Sequence, residues 1–144
     1  MRILLTAAVA LLPLPVFAWE AGVDGPLCTL EHAGGAADVR LTYDPALPEY
    51  TIAIRRSEPW PLAPVFALSF EGARANLIQT TRHMLSADRR TLSVADRGFG
   101  NVLDGLAFNE VARGLTGETD VAIDLAGAAP EVAAFRACIA APSV

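Results

Sequence analysis

Between residues 28 and 95 apolar and polar positions alternate with a period of two, and Gly, Pro, Asp or Asn interrupt the pattern at short intervals. That period places alternate side chains on opposite faces of an extended strand. Residues 28–32 open the first such segment, after a Gly- and Pro-containing lead at 22–26. Residues 38–43 form the next, with Val39, Leu41 and Tyr43 on one face, and Asp44-Pro45 stops it. The cleanest alternation runs over 50–56, with Tyr50, Ile52 and Ile54 inward. After a proline-dense loop around Trp60, residues 65–71 put Phe66, Leu68 and Phe70 opposite Ala67 and Ser69, and residues 76–82 continue beyond Gly72. Ala87-Asp88-Arg89-Arg90 predicts a polar hairpin turn between Met84-Leu85 and a strand at 91–95.

The C-terminal third changes period. Gly98-Phe99-Gly100 breaks the chain, and residues 101–106 predict a short helical turn with Asn101 as its N-cap. Residues 107–115 are compatible with helix. Thr116-Gly117-Glu118, however, is a turn signal followed by alternating Val121, Ile123 and Leu125, which favours a hairpin. Pro130 suits the first position of a helix, where its missing N–H costs nothing. Val132, Phe135 and Ile139 then form one apolar stripe, with Cys138 beside it. The expected fold is α+β: mainly antiparallel β, sandwich-like or barrel-like, with a C-terminal helix tied across it by a disulfide.

The start of the chain follows none of these patterns. Arg2 precedes an uncharged Leu- and Ala-rich run over 3–12, Pro13 and Pro15 follow, and Val16-Phe17-Ala18 offers a cleavage site. Residues 1–18 therefore read as a secretory signal peptide and 19–144 as a single β-rich domain. The run is too short and too broken by proline for a membrane span, so no stable membrane insertion is expected after cleavage. Gly25-Pro26-Leu27 before Cys28 does not resemble a lipobox, which argues against lipidation.

Charge and cysteine usage fit that destination. Once Arg2 leaves with the signal, ten arginines face 16 acidic residues, a net charge of −6, and there is no lysine. An acidic surface repels phosphate backbones, so nucleic acid is not an expected partner. Cys28 and Cys138 are the only cysteines. In an oxidising periplasmic or extracellular space an isolated pair reads most simply as a disulfide, ahead of a metal pair or a reactive thiol.

Little else points to catalysis. His32 and His83 are the only histidines, and neither has a neighbour at metal-ligand spacing, so no metal and no cofactor are expected. No G-x-S-x-G surrounds any serine. The segment from Asp96 to Asp104 is the most distinctive, with two carboxylates, Asn101 and two glycines around Phe99, but it lacks the ligand alternation of a calcium loop. Trp60, between two prolines, reads equally as a rigid anchor for a partner or as a lid packed over one end of the sheet.

The Trp-Pro near residue 60, Val65-Phe66-Ala67-Leu68, the run from Asp96 to Gly105 and the closing Ala134-Phe135-Arg136-Ala137-Cys138 resemble a group of short exported bacterial proteins. Some members carry the name of an excinuclease, a DNA-repair protein, although the group implies no established activity. The name does not suit this chain: a P-loop needs a lysine on the phosphates, and there is none. Length, charge and the export signal argue the same way, so the name reads as a misannotation.

The function expected from the sequence is a non-catalytic periplasmic or secreted binding domain. Its partner would be an unidentified protein or small ligand of the cell envelope, met through Trp60, Asp96, Phe99, Asn101 and Asp104. An inhibitor of an exported hydrolase, with the Trp60 loop protruding, is one form of this reading. The alternative is a small periplasmic enzyme using His83 with Asp96 or Asp104.

Overall fold

The structure, a computed structural model, describes residues 7–12 and 19–141. The cleavage site and most of the expected leader lie outside the described residues. Within the leader, residues 7–12 form neither helix nor strand and leave Val9, Leu11 and Leu12 exposed.

Ten strands and two helices make up the rest: β1 (Trp19–Asp24), β2 (Leu27–His32), β3 (Asp38–Asp44), β4 (Glu49–Arg55), β5 (Phe66–Gly72), β6 (Asn76–Thr80), β7 (Met84–Leu85), β8 (Thr91–Asp96), α1 (Gly100–Phe108), β9 (Asn109–Thr116), β10 (Thr119–Asp124) and α2 (Ala128–Ala140). They form two antiparallel sheets, β1-β2-β3-β4-β8-β7 and β10-β9-β5-β6. The arrangement is a sandwich rather than a closed barrel. The expected α+β class, with a C-terminal helix joined by a disulfide, is the observed one.

Register follows the alternation. Val39 pairs with Ile54 and Leu41 with Ile52, and opposite residues of an antiparallel pair share a face. All four are buried. Residues 107–115, where helix and strand competed, split between the two: α1 extends to Phe108, and β9 begins at Asn109 and pairs with β10. The polar hairpin forms as expected. Asp88 accepts from the Ser86 hydroxyl at 2.6 Å and from the Arg90 N–H at 3.0 Å, with Arg89 in the left-handed region at φ 57°.

Three local expectations need correction. Residues 22–26 are not an unstructured lead, because β1 occupies most of them. Its anchor is Trp19, which is 1% exposed and whose Nε1–H donates to the Asp124 carbonyl at 2.9 Å. Pro130 is the third residue of α2, not the first, since the helix begins at Ala128 after Gly127 in the left-handed conformation. The first-turn argument still applies, because the N–H groups of that turn have no intrahelical acceptor. Asn101 is not an N-cap; α1 starts one residue earlier with Phe99 in that position and no side-chain capping bond.

The helices attach to different parts of the sandwich. α2 packs on β1, β2 and α1, burying Val132 and Phe135, and the Glu131 carboxylate accepts from the Ala21 N–H at 2.9 Å. α1 lies against the second sheet at Gly105, where an added Cβ would run into the Phe70 ring. Only a glycine permits that approach. Arg136 and Asp104, 2.7 Å apart, tie α2 to α1.

Cys28 on β2 and Cys138 on α2 are joined, with a Cα separation of 6.0 Å and a separation of 110 positions in sequence. Closing so long a loop chiefly removes freedom from the unfolded chain. Replacing both cysteines by serine is expected to lower unfolding free energy by about 2–4 kcal/mol. Urea titration of the oxidised protein and the double variant checks this, and equal midpoints would contradict it.

Candidate functional site

In the middle of the sandwich the two sheets meet through side chains of very unequal size. The inward positions of β9 are small, Ala112, Gly114 and Thr116, opposite Phe70, Leu68 and Phe66 of β5. Into that space comes Trp60, 0% exposed, from the loop between β4 and β5. Its Nε1–H donates to the Ile54 carbonyl of the first sheet at 3.1 Å, and its ring meets Phe66 of the second edge-on at 6.3 Å. A Cβ added at Gly114 would lie 3.4 Å from the indole, in ordinary van der Waals contact, so the ring packs directly over the β9 backbone at this position. Trp60 thus takes the packing role of the two the sequence left open. It is not an exposed anchor.

Toward the other end the sheets come apart, and the reason is legible in their inward faces. Along β8 the inward series is Leu92, Val94, Asp96, set by pairing with Ile54, Ile52 and Tyr50. It shrinks and then becomes charged. Along β6 the inward series is Asn76, Ile78, Thr80, with a single bulky apolar residue. Neither strand carries enough apolar volume to close the gap, and a cavity of about 390 Å³ results. Its walls include Ile52 and Val94 from one sheet, Phe66, Leu68 and Ile78 from the other, and Phe99 and Val102 at the start of α1. Arg82, Asp96, Gln79, Thr80 and Asn101 form its polar rim.

The geometry of the rim is simple. The Arg82 guanidinium and the Asp96 carboxylate face each other at 3.7 Å, with side chains 74% and 49% exposed. Water screens so open a pair, which adds little to stability. The second Asp96 oxygen accepts from the Arg97 N–H at 2.7 Å. Phe99 is buried and stacks on Tyr50 at 5.3 Å, which holds the entry to α1 against β4. Leu103 is the first residue of α1 to donate along the helix, to the Phe99 carbonyl at 2.8 Å.

Of the residues singled out from sequence, the fold gathers Asp96, Phe99 and Asn101 around this cavity. Two others are elsewhere: Trp60 is inside the core, and Asp104 is paired with Arg136 on the helical side. His83 does not join the carboxylates. It packs against Phe66 at 6.2 Å and borders a shallow apolar concavity with Leu62, Ala63, Pro64 and Leu85. Asp96 and Asp104 are each engaged by an arginine instead. Arg82, Ile78 and Val94 were missed as site residues; the signal was a polar or short side chain at inward positions of two strands. Among the described residues no group of three or more His, Cys, Asp or Glu side chains is placed to hold a metal.

Of the two histidines, His32 lies in the core. It is 6% exposed, beside the Trp19 ring at 4.8 Å, and burial pushes its pKa below the ordinary value of 6.5, against smaller opposing effects from the Ala37 carbonyl and from Asp124 and Asp38. Compared with family models, curated proteins and solved structures, the chain gives no significant match in any of the three.

The His32 shift has a consequence for stability. Because the folded protein disfavours imidazolium, the unfolded chain binds the proton first as pH falls. Stability is therefore full above about pH 6.5 and declines below it until the folded-state pKa is reached. Urea midpoints between pH 8 and pH 5 should show this decline, and His32→Gln should flatten that part of the curve. An unchanged slope in the variant would contradict the assignment.

Proposed function

We propose that this protein is a non-catalytic binding domain of the cell envelope, periplasmic or secreted, and that the cavity between its sheets is the binding site. The observation that supports this most directly is the cavity itself. It is mostly apolar, reaches solvent through a polar rim, and is framed by residues fixed on strands and on the first turn of a helix. Its volume of about 390 Å³ lies at the lower end of the range for small-molecule sites. Rigid walls of this kind favour binding because little ordering is needed when a ligand enters.

Export is supported by the leader-like pattern of residues 1–18 and by the joined cysteines, which suit an oxidising compartment. Among the described residues no helix is long and apolar enough to cross a membrane. The inhibitor form of the reading loses its motive, because the residue that would protrude is buried. The enzyme alternative is also weaker, since His83 borders an apolar concavity and each of its two candidate carboxylates lies beside an arginine.

The test uses 1-aminoanthracene, an apolar fluorophore of suitable size, with the purified protein. One equivalent is expected to be taken up with a blue shift and enhanced emission. Val94→Phe, which adds a ring to the cavity wall, should reduce affinity at least about tenfold, equivalent to about 1.4 kcal/mol. Ile78→Trp fills the same space from the other sheet and serves if Val94→Phe folds poorly. Absence of uptake, or uptake indifferent to both variants, would overturn the proposal.

A further inference from the structure

The size of the cavity and the charges at its rim narrow the ligand class, on the premise that the cavity is the binding site. A cavity of ~150 Å³ accommodates one benzene, six non-hydrogen atoms, in an apolar interior. At the same packing, the 390 Å³ here holds roughly fifteen. The apolar walls, Ile52, Leu68, Ile78, Val94 and Val102 with the Phe66 and Phe99 rings, come from both sheets and the start of α1. They suit one unbranched chain or a small ring system and leave no buried polar group to satisfy inside.

The rim decides the head group. It carries one cation and one anion, Arg82 and Asp96, 3.7 Å apart and both accessible to solvent. The Arg82 backbone N–H is fixed on the Thr80 hydroxyl at 3.0 Å, and one Asp96 oxygen is held by the Arg97 N–H at 2.7 Å. The guanidinium can therefore donate to, and the Asp96 oxygen that faces it across 3.7 Å accept from, two neighbouring atoms of a single polar group. A carboxylate would be drawn to Arg82 but would face Asp96. An ammonium would be drawn to Asp96 but would face Arg82. An uncharged group with adjacent acceptor and donor meets both without a like-charge contact, and side-chain pairs that repel the wrong charge are a common source of specificity.

We infer that the cavity binds a neutral amphiphile: an apolar chain or ring of about a dozen non-hydrogen atoms ending in an amide-type head, its carbonyl on Arg82 and its N–H on Asp96. A linear chain enters tail first along Val94 and Leu68, and the head remains at the rim.

The experiment displaces bound 1-aminoanthracene from the whole purified protein with decanamide, decanoate and decylamine, which share a tail and differ in head charge. Each is kept below its micelle concentration. Decanamide should compete at least about tenfold better than either charged analogue. Asp96→Asn should shift preference toward decanoate, and Arg82→Gln toward decylamine. Both side chains are largely exposed, at 74% and 49%, so thermal unfolding of the variants should stay close to that of the parent. If a charged analogue competes best, or all three compete equally, the head-group inference is overturned while the cavity reading stands. If the fluorophore never binds, the cavity reading itself has failed. If it binds but none of the three displaces it, the inferred ligand class is wrong.

Discussion

The indole of Trp60 is the contact through which the two sheets hold one another. Its N–H is satisfied by a carbonyl of the first sheet, its ring meets an aromatic of the second edge-on, and its rim packs beside Gly114 of β9. Sheets in such a sandwich keep a separation set by the side chains between them. A large residue such as Trp60 therefore helps to set the spacing around it. Where β8 and β6 supply only Val94, Ile78 and polar neighbours, that spacing cannot be filled, and the cavity follows from the same contact that stabilises the core.

The far side is held by different means. β1 would be a loosely held edge without Trp19, whose indole reaches the Asp124 carbonyl, and without α2 lying across it. The disulfide adds a covalent link between that helix and β2. Helices and disulfide thus brace the region around β1 and β2, where α1 also meets α2. The opening between β8 and β6 has no disulfide and is bordered by the first turn of α1 alone.

Much of this could be read in the residues and some could not, for identifiable reasons. Strands with strict alternation, such as Glu49–Arg55, were legible because one face is buried and the register admits no slip. The C-terminal helix and its cysteine were legible from the apolar stripe and the compartment. β1 was not: Gly22 and Gly25 resemble a loop, and its anchor Trp19 bonds to a residue 105 positions away. The start of α1 was misplaced by one residue because a glycine, not Asn101, begins the helix. Of the site, Asp96, Phe99 and Asn101 stood out as a distinctive run and do meet at the cavity. Arg82, Ile78 and Val94 did not, since a gap between sheets depends on which strands face each other, and that is a property of topology. Trp60 was noticed, but the sequence held no information on which way it turned.

The account rests on a standing, accessible space between the sheets, present before any ligand arrives. Crystals of the protein pressurised with xenon test this most directly, because xenon enters apolar cavities without needing a polar partner. The account expects a single xenon site between Leu68 and Val94, under Phe99, with side chains unmoved. Absence of xenon there, with Ile78 closed onto Val94 in van der Waals contact, would contradict it.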